Sequence, residues 1–414
     1  MATDKNLFLY DLSVVAIMKN EAPYVKEWLD YHLAAGVNHF YIYDHESTDN
    51  FKEVLQPYIN AGIVTYTFYP GECRQMEAYI DAVHRFRFFS RYMAWIDADE
   101  FIFPQNNKSV VEVVDEILND KLQSGGLGIN WRTFGSNFLE TADYSKGVLE
   151  RFTRRAENDS ETIKSLANPR KVKVFMQPHA PIYFEGCFAI NENGGVVPLV
   201  TNKPPTVNKI VVNHYYTKSK EEYLRKIQRG RVDILDNTYN TKTFENRDYN
   251  EVFDDSILKY RENRLKMGGG TLGRPINYQQ LYIALLQNLS QTFVQNVPPA
   301  FYQGKMETFL TCWKLAEYLR EKILDKQAGD FFAEAALVAV YKTLQVNFSI
   351  ADLRLLFNEL PNLLTLNYSS IKNIRAACIN ILPQFMNIFR VHNAWQDFTE
   401  LEFLLNMLKT FDNK

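Results

Sequence analysis

Asp97 and Asp99 stand two residues apart, directly after the apolar run Tyr92–Ile96. Carboxylates at the end of a buried strand offer the hard oxygen ligands that Mg²⁺ and Mn²⁺ prefer, and a cation held there can neutralise a leaving diphosphate. By itself the triplet is weak, because acidic pairs in loops are usually solvated. Other polar clusters could act beside it. Lys19-Asn20-Glu21 closes the apolar run Ser13–Met18, where Asn and Glu could accept from a base or ribose and Lys could approach phosphate; a helix-capping loop is the alternative. Asp44-His45-Glu46-Ser47-Thr48-Asp49 closes the run His39–Tyr43, either as part of a nucleoside pocket or as a turn with an N-cap. His214 ends a late apolar run and is either a further metal ligand or a buried structural histidine.

The elements that must position these groups alternate short apolar runs with amphipathic stretches, the pattern of βαβ units around a largely parallel sheet. After the strand Ser13–Met18, Pro23 suits a first helical turn, and Val25, Trp28, Leu29, His32 and Leu33 share one helical face before Gly36. His39–Tyr43 is the next strand. A helix from Asp49 or Asn50 carries Phe51, Val54, Leu55, Tyr58 and Ile59 inward, and the strand Ile63–Phe68 follows. A helix over 74–89 then leads to Tyr92–Ile96, which places the acidic pair at a strand's carboxyl end, where open α/β sheets gather ligands. Ser109-Val110-Val111-Glu112 reads as a capping box, 128–131 as a strand and 206–216 as a late strand, with a less regular basic stretch between the last two.

At 414 residues the chain exceeds what one core usually organises. The run Lys266 to Pro275 breaks regular structure, and long amphipathic patterns follow, including one capped near Ser349. The expected organisation is an α/β domain over 1–265, a hinge at 266–275 and an all-α domain over 276–414. A net charge of −3 argues against a nucleic-acid binder driven by bulk charge. Four cysteines without a CxxC pair read as reduced thiols, and no targeting or membrane-spanning segment is visible. The expectation is a cytoplasmic protein, soluble or peripheral at the inner face of the membrane. The helical stripes are expected to be core, with room for a homo-oligomer contact.

Lys19-Asn20-Glu21, Tyr43-Asp44 with Ser47 and Asp49, Gln75, Trp95 through Phe101, and Val212-Asn213-His214-Tyr215 together resemble glycosyltransferase family 92 and its bacterial family-2-like relatives. The resemblance continues through Trp131 to Ser136, Lys218 to Tyr223, Arg229-Gly230 and Asp233, covering roughly residues 12–235. It implies a GT-A fold, Mn²⁺ or Mg²⁺, a UDP-sugar donor with galactose favoured, inversion at the anomeric carbon and a glycan acceptor, as in surface polysaccharide or lipopolysaccharide synthesis. Carried over residue by residue, Asp97 would contact ribose or metal, Asp99 would ligate the metal, Glu21 and Asp44 would hold the base, and Gln75 would line the donor pocket. Lys19, Asn20 and Asp49 belong to the same donor side, and Trp131, Phe134, Gly135 and Ser136 to the acceptor side, with simple core the alternative for Trp131.

Inversion needs a general base. Glu140, His179 and Glu185 lie in the acceptor region and are not ranked by spacing. Two basic groups, Arg151/Arg154/Arg155 with Lys164/Arg170/Lys171/Lys173, and Arg225/Lys226/Arg229/Arg231, either face a diphosphate or lie on solvated surfaces. A sugar-1-phosphate nucleotidyltransferase is the enzymatic alternative, although its Gly-rich first loop is missing; a non-catalytic nucleotide-sugar-binding module is the other. Neither G-x-G-x-x-G nor a P-loop occurs, which disfavours dehydrogenases and P-loop enzymes.

Overall fold

The strand Tyr10–Met18 (β1) is buried from Leu12 onward, and its side chains alternate between two cores. Leu12, Val14, Ala16 and Met18 pack on one face with Trp28 and Leu29, while Val15 and Ile17 meet Tyr79 and Val83 on the other. A period of two with both sets apolar belongs to a strand covered by helices on both sides. Each large apolar side chain so buried contributes about 1.5–3 kcal/mol.

The computed structural model describes residues 10–87, 89–118, 123–230 and 240–270, with Phe8 and a set of helical positions between 376 and 409. After β1 come α1 (Ala22–Ala34), β2 (His39–Asp44), α2 (Phe51–Asn60), β3 (Val64–Phe68), α3 (Gln75–Phe86) and β4 (Ser90–Trp95). Then follow β5 (Glu100–Pro104), α4 (Val110–Leu118), β6 (Ser124–Thr133), the single turn α5 (Val148–Arg151), β7 (Arg154–Arg155), β8 (Ile163–Ala167), β9 (Val172–Phe175) and β10 (Pro181–Tyr183). The rest are β11 (Phe188–Ile190), β12 (Val196–Val197), β13 (Ile210–His214), α6 (Lys220–Arg229), α7 (Thr241–Arg247), β14 (Val252–Phe253) and α8 (Ser256–Lys266).

The large sheet runs β12-β11-β6-β8-β4-β1-β2-β3, with β13 joining β6 to β5. From β3 to β4 every pairing is parallel. At β8 the sheet becomes mixed, because β8 runs antiparallel to both β4 and β6. Beyond β8 parallel pairing returns, with β6 parallel to both β11 and β13. β8 falls in the stretch that looked irregular, since its sequence Ile-Lys-Ser-Leu-Ala carries a lysine where a buried strand should be apolar.

Local signals shape the ends. The capping box at Ser109 forms, with the Glu112 carboxylate accepting from Ser109 N at 2.7 Å, and a second one, Ser219 with Glu222, opens α6. Gly36 has φ of +101°, and a Cβ there would come within 2.8 Å of Ser109 Cβ, so glycine is required on both counts.

The chain divides into two units, Met1–Asn277 and Tyr278–Lys414. Gly269 at the end of the first donates to Arg264 O at 2.7 Å, and its α-carbon leaves no room for a side chain beside Ala34 O. The described part of the expected hinge, through residue 270, continues as turns after α8. In the second unit the described positions are helical; the expected cap at Ser349 lies outside the described residues, as do Arg231 and Asp233. Among the described residues no helix is long and apolar enough to cross a membrane.

Candidate active site

β1 has β2 on one side and β4 on the other, so the strand order reverses between β1 and β4. Outside the carboxyl ends of such strands a crevice must open. Asp97-Ala98-Asp99 leaves β4 at that point, and a cavity of about 980 Å³ lies over it. Its wall includes Met18, Lys19 and Glu21 after β1, Gln75 at the start of α3, and Asp97 and Asp99. Trp131 from β6, His214 from β13 and Lys226 and Arg229 from α6 complete the far side.

Each carboxylate of the pair faces its own lysine. Asp97 accepts from Lys164 Nζ at 2.7 Å and from Gln75 Nε2 at 2.8 Å. Lys164 is 1% exposed and also lies 3.4 Å from Glu100. Burial, with Asp97 and Asp99 near, pushes Glu100 up to about 8 against the pull of Lys164. Asp99 accepts from Lys226 Nζ at 2.8 Å, and its other oxygen lies 3.6 Å from His214 Nε2. Burial alone would raise the Asp99 pKa, yet Lys226 and His214 hold it well below the ordinary carboxylate range.

His214 arrives through sheet register. β13 pairs with β5 so that His214 lies opposite Glu100, and with β6 so that it lies beside Thr133. Trp131 sits between two imidazoles, 4.3 Å from the His214 ring and 5.0 Å from that of His179. Its indole N–H is buried without a partner among the described residues. His179 Nδ1 lies 3.2 Å from Ile163 O. A carbonyl can only accept, so Nδ1 carries the proton and Nε2 keeps its lone pair. Burial first, then Lys164, lowers His179 to about 4 and keeps it neutral at ordinary pH.

Other residues singled out in the sequence lie elsewhere. Asn20 and Asp49 serve the loop: Asn20 Oδ1 accepts from Thr48 N at 2.7 Å, and Asp49 accepts from Ala22 N and Phe51 N. Asp44 turns away from the cavity, accepting from Ser47 N at 2.9 Å and Tyr66 OH at 2.6 Å. Glu21 does face it, held by Arg229 through one oxygen while the other is buried without a partner among the described residues.

Of the four residues expected on the acceptor side, Trp131 alone lines the cavity. Phe134 is core, stacked on Tyr215 at 4.7 Å. Gly135 lies against the Tyr249 carbonyl, and Ser136 donates to Asp248 at 2.9 Å. Glu140 is an exposed partner of Lys220 at 3.3 Å, and Glu185 lies in an exposed turn. His179 is therefore the member of that trio in the cavity wall.

The two basic groups divide in the same way. Arg151 makes a buried bidentate pair with Glu222 at 2.8 and 2.9 Å, and Arg155 binds Asp254, whereas Lys164 and Lys226 meet the acidic pair. Arg247, Tyr249 and Glu251 also line the cavity, from a segment whose pattern pointed to nothing.

A family model for glycosyltransferase family 92 matches residues 14–267, more than half of the chain and the whole cavity wall. The chain belongs to glycosyltransferase family 92. This family member is 23% identical over 233 residues to a family 92 protein of Ricinus communis, covering 54% of this chain and 39% of that one. A family 92 protein of Oryza sativa subsp. japonica is 27% identical over 172 residues, 41% of this chain and 27% of the relative. The galactan beta-1,4-galactosyltransferase GALS2 of Arabidopsis thaliana is 31% identical over 104 residues, 22% of this chain and 19% of its own. The family 92 chain thus spans well under half the length of these relatives. Among solved structures, S. aureus TarS residues 1–349 superposes with a TM-score of 0.30 at 12% identity, covering 82% of this chain and 93% of that chain.

Proposed function

We propose that this chain is an inverting glycosyltransferase that moves a hexose, galactose favoured, from a UDP-sugar to a glycan hydroxyl with help from Mn²⁺ or Mg²⁺. The observation that carries the reading is the Asp97/Asp99 pair at the β1/β4 switch point, beneath a cavity wide enough for a nucleotide-sugar and part of an acceptor. Galactose is favoured because GALS2 is named a galactosyltransferase.

Among the described residues no three acidic, histidine or cysteine groups gather into a metal cage. Mg²⁺ and Mn²⁺ acting on diphosphates need no such cage, since one or two protein ligands suffice beside phosphate oxygens and water. Asp99 and His214, 3.6 Å apart at the cavity wall, fit that donor set. A cation bound there would neutralise charge on the leaving diphosphate. Asp97, committed to Lys164 and Gln75, acts as the rigid floor beside it.

Glu21 lines the cavity and would accept from the donor's ribose or base. Lys226 and Arg229 present positive charge to the diphosphate. His179 is the general base: its Nε2 lone pair is available, and the incoming diphosphate offsets the Lys164 charge that lowers its pKa.

The test is a nucleotide-sugar panel with and without EDTA, read by thermal shift and by nucleotide release. A shift and slow release with a UDP-hexose and Mn²⁺ are expected, both lost in EDTA. No shift with any UDP-sugar overturns the reading, and unchanged turnover in Asp99→Asn removes the metal role.

A further inference from the structure

A second cavity, of about 470 Å³, lies on the other side of the loop after β1 and shares Glu21, Tyr216, Lys226 and Arg229 with the first. Its wall holds Lys218, which is 7% exposed. The Lys218 ammonium lies 4.1 Å from the centre of the Tyr24 ring and, among the described residues, has no carboxylate within ion-pair distance. The acids around it are already engaged. Glu222 takes Arg151 and Ser219, Glu21 takes Arg229, and Asp49 takes the N–H groups of Ala22 and Phe51.

A buried lysine without a counter-ion is costly, and burial lowers its pKa here. An aromatic face offsets part of that cost, a hydrogen-bonded anion much more. Lys218 also holds a left-handed backbone with φ of +53°, a conformation that costs a non-glycine residue about 1 kcal/mol and that persists where the surroundings impose it. Tyr24, Tyr144 and Tyr216 line the same cavity, with cations already against their rings, so that its wall is aromatic and positive.

We propose that this second cavity is a subsite for an anionic sugar of the acceptor, one that carries a carboxylate or a phosphate, with Lys218 as the charge that reads it. The shared wall lets one glycan place its reacting hydroxyl in the main cavity and its charged neighbour here. The assignment to an acceptor rests on the glycosyltransferase reading, whereas the binding of a sugar-borne anion does not.

Calorimetry on the full chain with digalacturonate, digalactose, galactose 6-phosphate and UDP separates the outcomes. The charged saccharides are expected to bind about tenfold tighter than digalactose, a difference that one charge-assisted contact supplies, and Lys218→Met should erase that difference while leaving UDP affinity unchanged. Preference for digalacturonate over galactose 6-phosphate, or the reverse, identifies which anion is read. Gln228→Glu, on the exposed rim of the same cavity, should weaken the charged saccharides alone and covers the case in which Lys218→Met fails to fold. Equal binding of digalacturonate, galactose 6-phosphate and digalactose overturns the proposal. So does a loss of UDP affinity in Lys218→Met with saccharide binding intact, which would give the ammonium to the donor. If anionic saccharides bind through Lys218 and no UDP-sugar binds, the subsite stands and the transferase reading falls.

Discussion

Lys226 Nζ donates to Asp99 Oδ2 at 2.8 Å across 127 residues of sequence, while His214 approaches the other oxygen of the same carboxylate. The second aspartate of the pair is thus neutralised by an ammonium from α6. A divalent cation must compete with that ammonium, and a diphosphate gives it somewhere else to go.

Replacing Lys226 with Met should therefore separate metal from donor. Asp99 would be left buried without its main counter-charge. Mn²⁺ affinity, followed by electron paramagnetic resonance, is expected to tighten by roughly threefold to tenfold, and the KM for the UDP-sugar to rise. Unchanged Mn²⁺ affinity would mean that the lysine does not guard the metal position.

His179→Gln keeps a polar side chain in the cavity but cannot take up the acceptor proton. Turnover should fall by about 10²–10⁴, the usual worth of a positioned base, with UDP affinity by calorimetry unchanged. If kcat survives the substitution, the base is another group.

Lys164 is buried between Asp97 and Glu100. Lys164→Met leaves Asp97 and the buried Glu100 without their cation and should cost about 3–5 kcal/mol in urea unfolding. Adding Glu100→Gln should return part of the loss. A cost below about 1 kcal/mol would be that of a solvent-screened pair instead.

Stability should fall on acidification because of His32 and His39. His32 Nδ1 donates to Trp28 O at 2.8 Å and its Nε2 accepts from Ile102 N at 3.3 Å, so the ring is neutral with both nitrogens committed. Burial lowers both histidines to about 3. Between that value and the unfolded value near 6.5 the unfolded chain binds more protons, so stability rises with pH across the window and is lost as pH falls. Each histidine should cost roughly 2 kcal/mol at pH 5 relative to pH 7, read by chemical denaturation. His39→Gln is expected to lower the slope by that one histidine's share, since His179, lowered to about 4, contributes beside His32, and a flat profile between pH 7 and 5 would refute the account.

Much of the first half was readable from local pattern. The alternation in β1, the helical face of Trp28 and Leu29, the capping box at Ser109 and the strand before Asp97 all depend on neighbours within a few residues. The second half was harder for a definite reason. β8 carries Lys164 in a buried row, which spoils the apolar signal of a strand, and the lysine belongs there because Asp97 waits on β4's end. Phe134, Gly135 and Ser136 follow Trp131 closely in sequence, yet Phe134 stacks on Tyr215 while Gly135 and Ser136 pack against residues 248–250, contacts that no spacing announces.

The sequence by itself determined that an acidic pair would stand at a strand's carboxyl end in an α/β domain, because hydrophobic period and turn chemistry are local properties. It also determined the set of charges available. Which charge meets which was decided by the tertiary structure. β8 inserts antiparallel between β4 and β6 and brings Lys164 to Asp97; α6, which follows β13, brings Lys226 to Asp99. Partners 67 and 127 residues apart leave no trace in periodicity, since their meeting depends on strand order and on the low-dielectric burial that makes each pairing worth having.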